Sequence, residues 1–199
     1  MPEWYISSEW NTPTLPITDV NWYDCQEFIH RLDSITGMPF RLPTEAEWEF
    51  AARGKDGTEL PWMQEGVASD KGCYYANFKP DRGDYTKDGN LITSKVGIYS
   101  ANSNGLYDMA GNVAEWTSTV YTEAGVLSMS DMNPTLTYNA AKEDPYALKK
   151  KSVRGGSWKD PESFIKSAWR SYEYQNVGRS FVGFRCVRSQ VGTASRSNR

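Results

Sequence analysis

The chain has 199 residues, of which 39% are hydrophobic, 14% aromatic and 24% charged. That is the length of one domain and a mixture able to bury a core, which excludes a wholly disordered chain. Lys plus Arg total 22 against 25 Asp plus Glu, a net charge of −3, so no nucleic-acid partner is expected. No apolar run approaches the roughly 18 residues that span a bilayer, and the chain reads as soluble and without a signal peptide. One histidine, His30, excludes any site built from two or three imidazoles. Three cysteines, Cys25, Cys73 and Cys186, lie far apart with no C-x-x-C, against a zinc site or a disulfide framework using all three.

Residues 1–18 read as loop, punctuated by Pro2, Pro13 and Pro16. Residues 19–36 form an amphipathic helix: Trp22, Cys25, Phe28, Ile29 and Leu32 make the apolar stripe that 3.6 residues per turn requires. Asp19 or Asn21 caps its start and Gly37 its end, with His30 beside the stripe as a surface residue. A second helix follows Pro43. Thr44 to Glu47 is a capping box, Trp48, Ala51 and Ala52 form the buried side, and Gly54 ends it. Glu45, Glu47 and Glu49 in its first turns are explained by the helix dipole.

Residues 55–99 are loop with short strands at best, long enough to need a tie other than their own core. Residues 105–117 are a turn running into a strand, and 122–151 are a polar insertion. Residues 153–158 and 181–187 read as strands, with 167–174 a third candidate and 191–199 a disordered tail. Trp48, Trp116 and Trp158 are expected in the core, Arg170 and Arg185 against buried carboxylates, Cys25 and Cys186 as buried free thiols, and Cys73 exposed.

Four runs carry a resemblance. Arg41-Leu42-Pro43-Thr44-Glu45-Ala46-Glu47-Trp48 with its continuation to Gly54, residues 105–117, Arg154-Gly155-Gly156-Ser157-Trp158 and Gly183-Phe184-Arg185-Cys186 resemble formylglycine-generating-enzyme-like (sulfatase-modifying-factor) domains. The resemblance implies an α+β, C-type-lectin-like fold with two helices, a small antiparallel sheet and many loops. A single domain over residues 13–190 is expected, without the family's usual N-terminal strands. Residues 73–80, 154–160, 172–175 and 181–185 are similar to the gliding-motility lipoprotein GldK and its relative PorK, non-enzymatic parts of a type IX secretion ring in Bacteroidetes.

In the catalytic members, copper is held by two thiolates, soft ligands suited to Cu(I). The matching positions here are Asp160 and Ile165, so no copper is expected. A related branch uses iron on three histidines, which one histidine cannot supply, so no iron is expected and no enzymatic activity. The resemblance also implies structural calcium. One ligand set maps onto Asn77, the Phe78 carbonyl, Asp88 and the Asn90 carbonyl; the other onto Asp108, the Gly111 and Val113 carbonyls, and Glu115. Calcium takes six to eight hard oxygen donors, which both sets offer, the second with more charge. The alternative is that Asp88-Gly89 is a simple turn and that Asp108 or Glu115 bonds to nearby backbone amides.

The expected function is a calcium-stabilised, protein-binding component of an envelope ring at the periplasmic face of the outer membrane. Its partner is an envelope protein, the full-length form is homo-oligomeric, and membrane contact comes only through a lipid anchor absent from this chain. Residues 122–151 and the aromatics at 172–174 would form interfaces. A second reading is a ligand- or receptor-binding domain whose cleft is rimmed by Trp158, Asp160, Trp169 and Tyr172. A residual oxidoreductase is disfavoured by the missing cysteines and histidines.

Overall fold

A computed structural model describes residues 13–62, 66–124 and 135–188; the expected tail at 191–199 and the first twelve residues lie outside them. Helix α1 covers Trp22–Thr36 and helix α2 covers Glu45–Arg53. The strands are β1 (Phe40–Arg41), β2 (Ala114–Val120), β3 (Lys150–Arg154), β4 (Ser171–Tyr174), β5 (Val182–Gly183) and β6 (Val187–Arg188). Four of them form a sheet in the order β4-β3-β2-β5, and β1 pairs with β6 in a second, two-stranded one. The pairs are antiparallel except β2 with β5, which run parallel.

Both helices start where side chains supply the acceptors that free backbone N–H groups need. At α1 it is Asn21, not Asp19, that caps: its side chain accepts from the Tyr23 and Asp24 amides while Asp24 accepts from the Asn21 amide. Asp19 instead takes a left-handed backbone, φ 57°, and its amide donates to the Arg179 carbonyl. Gly37 closes the helix with φ 67°, the conformation glycine tolerates best. At α2, Thr44 and Glu47 form the reciprocal box.

The two helices cover opposite faces of the four-stranded sheet, because side chains alternate along a strand. Trp116, Val153 and Val182 face α1 and pack on Trp22, Cys25 and Ile29. Their neighbours Glu115, Ser152 and Arg154 face α2. Phe28 lies at the edge of the stripe, 42% exposed, with its ring edge-on to Phe184. Strand β3 begins three residues before the expected 153–158 and ends at Arg154, since Gly155 and Gly156 turn the chain away with φ 91° and 63°.

Among the described residues of 55–99 there is no strand beyond an isolated bridge between Ala68 and Tyr74. A second apolar cluster ties them down: Trp62, Ala76 and Phe78 pack on Ala110 and Ile165.

Candidate functional site

The side of the sheet under α2 carries a buried ion network. Glu45, 4% exposed, receives Arg154 Nη1 at 2.9 Å, Arg170 Nε at 2.7 Å and Nη2 at 2.8 Å, and the Ser152 hydroxyl at 3.1 Å. Burial alone would push the Glu45 carboxyl up, but the two guanidiniums prevail and hold it below the usual range. Arg154 also reaches Glu49 at 2.6 Å and the Ser167 carbonyl at 2.5 Å. Glu47 binds Arg41 through both oxygens. The three glutamates therefore have specific guanidinium partners, a stronger cause than the helix dipole expected from sequence. Arg170 and Arg185 do meet buried carboxylates.

Beside this network, the β3–β4 end of the sheet opens into a cleft of about 120 Å³. Asp160, Trp169 and Tyr172 line it together with Lys159, Phe164 and Phe181. Trp158, expected on its rim and in the core, does neither: it is half-buried, and its Nε1 donates to the Ser180 carbonyl at 3.4 Å. Asp160 accepts from the Ser157 hydroxyl at 2.6 Å and from Lys159 at 2.7 Å. Ile165 is fully buried in the second apolar cluster. These two positions thus present a paired carboxylate and an aliphatic side chain, neither of which suits a soft metal ion.

The two oxygen-rich sets lie in the loops flanking Gly111. Asp88 accepts from the Phe78 and Asn90 amides, and burial pushes its carboxyl up. Asn77 is fully buried, and its Oδ1 has no partner among the described residues. In the other set, Asp108 accepts from the Gly97 amide at 2.7 Å while its buried Oδ1 has no partner among the described residues. Burial, with Glu115 nearby, pushes the Asp108 carboxyl up. Glu115 is already satisfied: Arg185 Nε and Nη2 bind it at 2.5 and 2.7 Å, and Trp48 Nε1 at 2.6 Å. The extra charge read for this set is therefore taken up by Arg185; Glu115 is bound by a guanidinium and an indole, while Asp108 takes a backbone amide as the alternative reading had it. At Gly111, φ 73°, a Cβ would stand 2.1 Å from the Asn77 carbonyl oxygen, so only glycine lets the two sets come together. Among the described residues no three His, Cys, Asp or Glu side chains form a metal cluster, so a cation here would rest largely on carbonyl and amide oxygens.

Residues 6–190 match the sulfatase-modifying factor enzyme 1-like domain. The chain belongs to that family. It is 36% identical over 158 residues to the formylglycine-generating enzyme of Mycobacterium tuberculosis, covering 76% of this chain and 52% of that protein. It is 37% identical over 113 residues to the inactive C-alpha-formylglycine-generating enzyme 2 of Mus musculus, 56% of this chain and 34% of that one. The structure of PvdO from Pseudomonas aeruginosa superposes with a TM-score of 0.72 at 26% identity, covering 90% of this chain and 64% of PvdO. The chain spans about half the length of the M. tuberculosis enzyme.

The cysteines of this family member stand away from the cleft. Cys25 is buried on α1, Cys73 is exposed, and Cys186 is half-buried where full burial was expected. Burial pushes the Cys25 and Cys186 thiols up, which leaves them protonated and poor ligands. His30 lies exposed on α1. Sequence reasoning missed Glu45 and Lys151 as buried charges. For Glu45 a usable signal existed, since it follows the N-cap on the side of α2 that also carries Trp48 and Ala52.

Proposed function

We propose that this family member is a non-catalytic, protein-binding component of a bacterial envelope assembly. The observation that carries the loss of catalysis is the pair Asp160 and Ile165, one bonded to Ser157 and Lys159 and the other sealed in an apolar cluster. Cu(I) needs soft donors, and no cysteine lines the cleft. The name of the mouse relative, an inactive formylglycine-generating enzyme, supports the same reading.

Similarity of residues 73–80, 172–175 and 181–185 to GldK and PorK points to the type IX secretion and gliding-motility ring. There the full-length protein would be a homo-oligomer at the periplasmic face of the outer membrane, held by a lipid anchor and an envelope partner. A row of Tyr121, Tyr172, Tyr174 and Tyr146, each in contact with the next at 3.9–5.8 Å between centroids, offers the aromatic surface that interfaces use. The test is the native size of the full-length protein in gently solubilised envelopes of its source. A megadalton assembly with one co-purifying envelope protein is expected. A free monomer overturns the ring and favours the second reading, a ligand-binding cleft, which the 38% exposure of Trp169 on its lining supports.

Calcium would be held by Asp108 with the Gly111 and Val113 carbonyls, sharing Glu115 with Arg185, and by Asn77, Asp88 and the carbonyls of Phe78 and Asn90. The unpartnered Oδ1 atoms of Asn77 and Asp108 fit a hard cation. Bound there, calcium would staple loops that have little core of their own. Chelation is expected to lower Tm and added calcium to restore it. Elemental analysis showing no calcium in protein purified without chelator removes both sites.

A further inference from the structure

Lys151 lies in β3 with 0% of its surface exposed. Buried lysines usually run their stems along apolar surface and keep the ammonium in water; this one keeps the ammonium inside. Its Nζ donates to the Tyr138 carbonyl at 2.7 Å and to Asn139 Oδ1 at 2.9 Å, and lies 4.2 Å from the centre of the Trp22 ring. An ammonium has three N–H donors, and two oxygens and an indole face receive them. All three acceptors are neutral, and among the described residues no carboxylate pairs with Lys151.

Both oxygens come from one segment, residues 135–145, laid across the end of the sheet. Its other ties are polar as well. The Val120 amide donates to the Leu136 carbonyl, Thr135 meets Thr119, and the Ala140 carbonyl accepts from Gln175 Nε2 and the Tyr23 hydroxyl. Of this segment's described residues only Ala140 is buried. It is held by hydrogen bonds more than by a core.

The elements packed on Lys151 bring few other charges. Helix α1 brings Trp22 and Tyr23, and β2 brings Val120 at the paired position. Strand β4 brings Glu173, which is turned to Arg179 at 3.1 Å. The segment brings Tyr138 and Asp144, whose mutual hydrogen bond holds the Asp144 carboxyl down and pushes the Tyr138 phenol up. Its remaining charged residues, Lys142 and Glu143, are exposed.

We propose that residues 135–145 are a strap whose closure over β3 is coupled to loss of the Lys151 proton, so that the strap is tightest with a neutral amine and loosened by acid. A buried charge with no counter-charge is costly, whereas a neutral amine keeps two N–H donors for the same two oxygens. Burial brings the Lys151 ammonium down to about 8 from the usual 10.5, and an open strap would return it to water. Between those values the closed form binds fewer protons than the open one. Raising pH through this window therefore drives closure, and below about 8 the strap is at its loosest. Opening would uncover Trp22 and Gln175 beside Tyr174, at the end of the tyrosine row. This device stands whether or not the ring reading holds.

The test is hydrogen–deuterium exchange of residues 136–148 in the full chain between pH 7 and 9, corrected for the intrinsic exchange rate. The opening equilibrium is expected to fall about tenfold across that range, with α1 unchanged. A flat profile overturns the proposal. Lys151→Met keeps the stem and removes the proton, so its profile is expected to be flat; a surviving pH dependence in that variant also overturns it. Should the variant not fold, direct NMR titration of the wild-type Lys151 amine decides: a midpoint near the usual 10.5 overturns the strap, and one near 8 upholds it.

Discussion

The two faces of the central sheet solve the same packing problem with opposite chemistry. Toward α1, Trp22, Cys25 and Ile29 meet Trp116, Val153 and Val182 in an apolar layer. Toward α2, Glu45 and Glu49 meet Arg154 and Arg170, with Ser152 and Thr119 filling in. The apolar layer gains from area removed from water and tolerates any filling of the right volume. The ionic layer gains little on balance, because desolvating the charges offsets most of their attraction. It is directional, however: each oxygen of Glu45 has named donors, so one register of β3 against β4 and one rotation of α2 satisfy it. The first face holds the fold together and the second specifies its geometry.

The comparison can be broken first at Glu45. Glu45→Gln leaves Arg154 and Arg170 facing a neutral amide and is expected to cost about 3–5 kcal/mol in chemical denaturation. Because the Glu45 carboxyl is held below its usual 4.5, its contribution is complete above that value and disappears as pH falls below it. An acid titration of stability in the wild type and the variant should therefore converge at low pH; parallel curves would show that the network contributes nothing through charge. On the apolar face, Ile29→Ala is expected to cost about 2–4 kcal/mol by cavity formation, with the same penalty at pH 4 and pH 7. A smaller effect should come from Asn21→Ala, which removes the α1 cap for about 1 kcal/mol without touching either face.

How much of this was legible in the sequence follows the same division. The apolar stripe of α1, the capping box of α2 and the stop at Gly37 are local, and the residues that make them are within a few positions of one another. The family motifs gave the strand after Gly111, but 153–158 read as one strand, straight through the glycine turn that ends β3 at Arg154. The partners of Glu45 lie 107, 109 and 125 residues away, so no local pattern announces them. Lys151 reads as the last residue of a polar insertion until β3 and the segment that covers it are in place. Trp158 was misplaced because an aromatic beside a cleft motif looks the same in sequence whether it lines the cleft or turns aside toward the Ser180 carbonyl. Only the registers of β3 and β4 decide which residues share the cleft.

The distance in sequence between Glu45 and its arginines also governs the life of the chain before it is finished. Synthesis delivers α2 early, with a carboxylate destined for burial, and delivers Arg170 125 residues later. At typical elongation speeds of about 5–20 residues per second, that is a wait of several seconds or more. Until β2 and β3 have been made, α1 and α2 have no sheet to settle on, and their apolar and acidic faces stay exposed. A chain cut short before Arg154 would carry the acid without either counter-charge, and one cut between Arg154 and Arg170 would carry it with only one. The network can therefore be completed only once Arg170, the residue just ahead of β4, has been made.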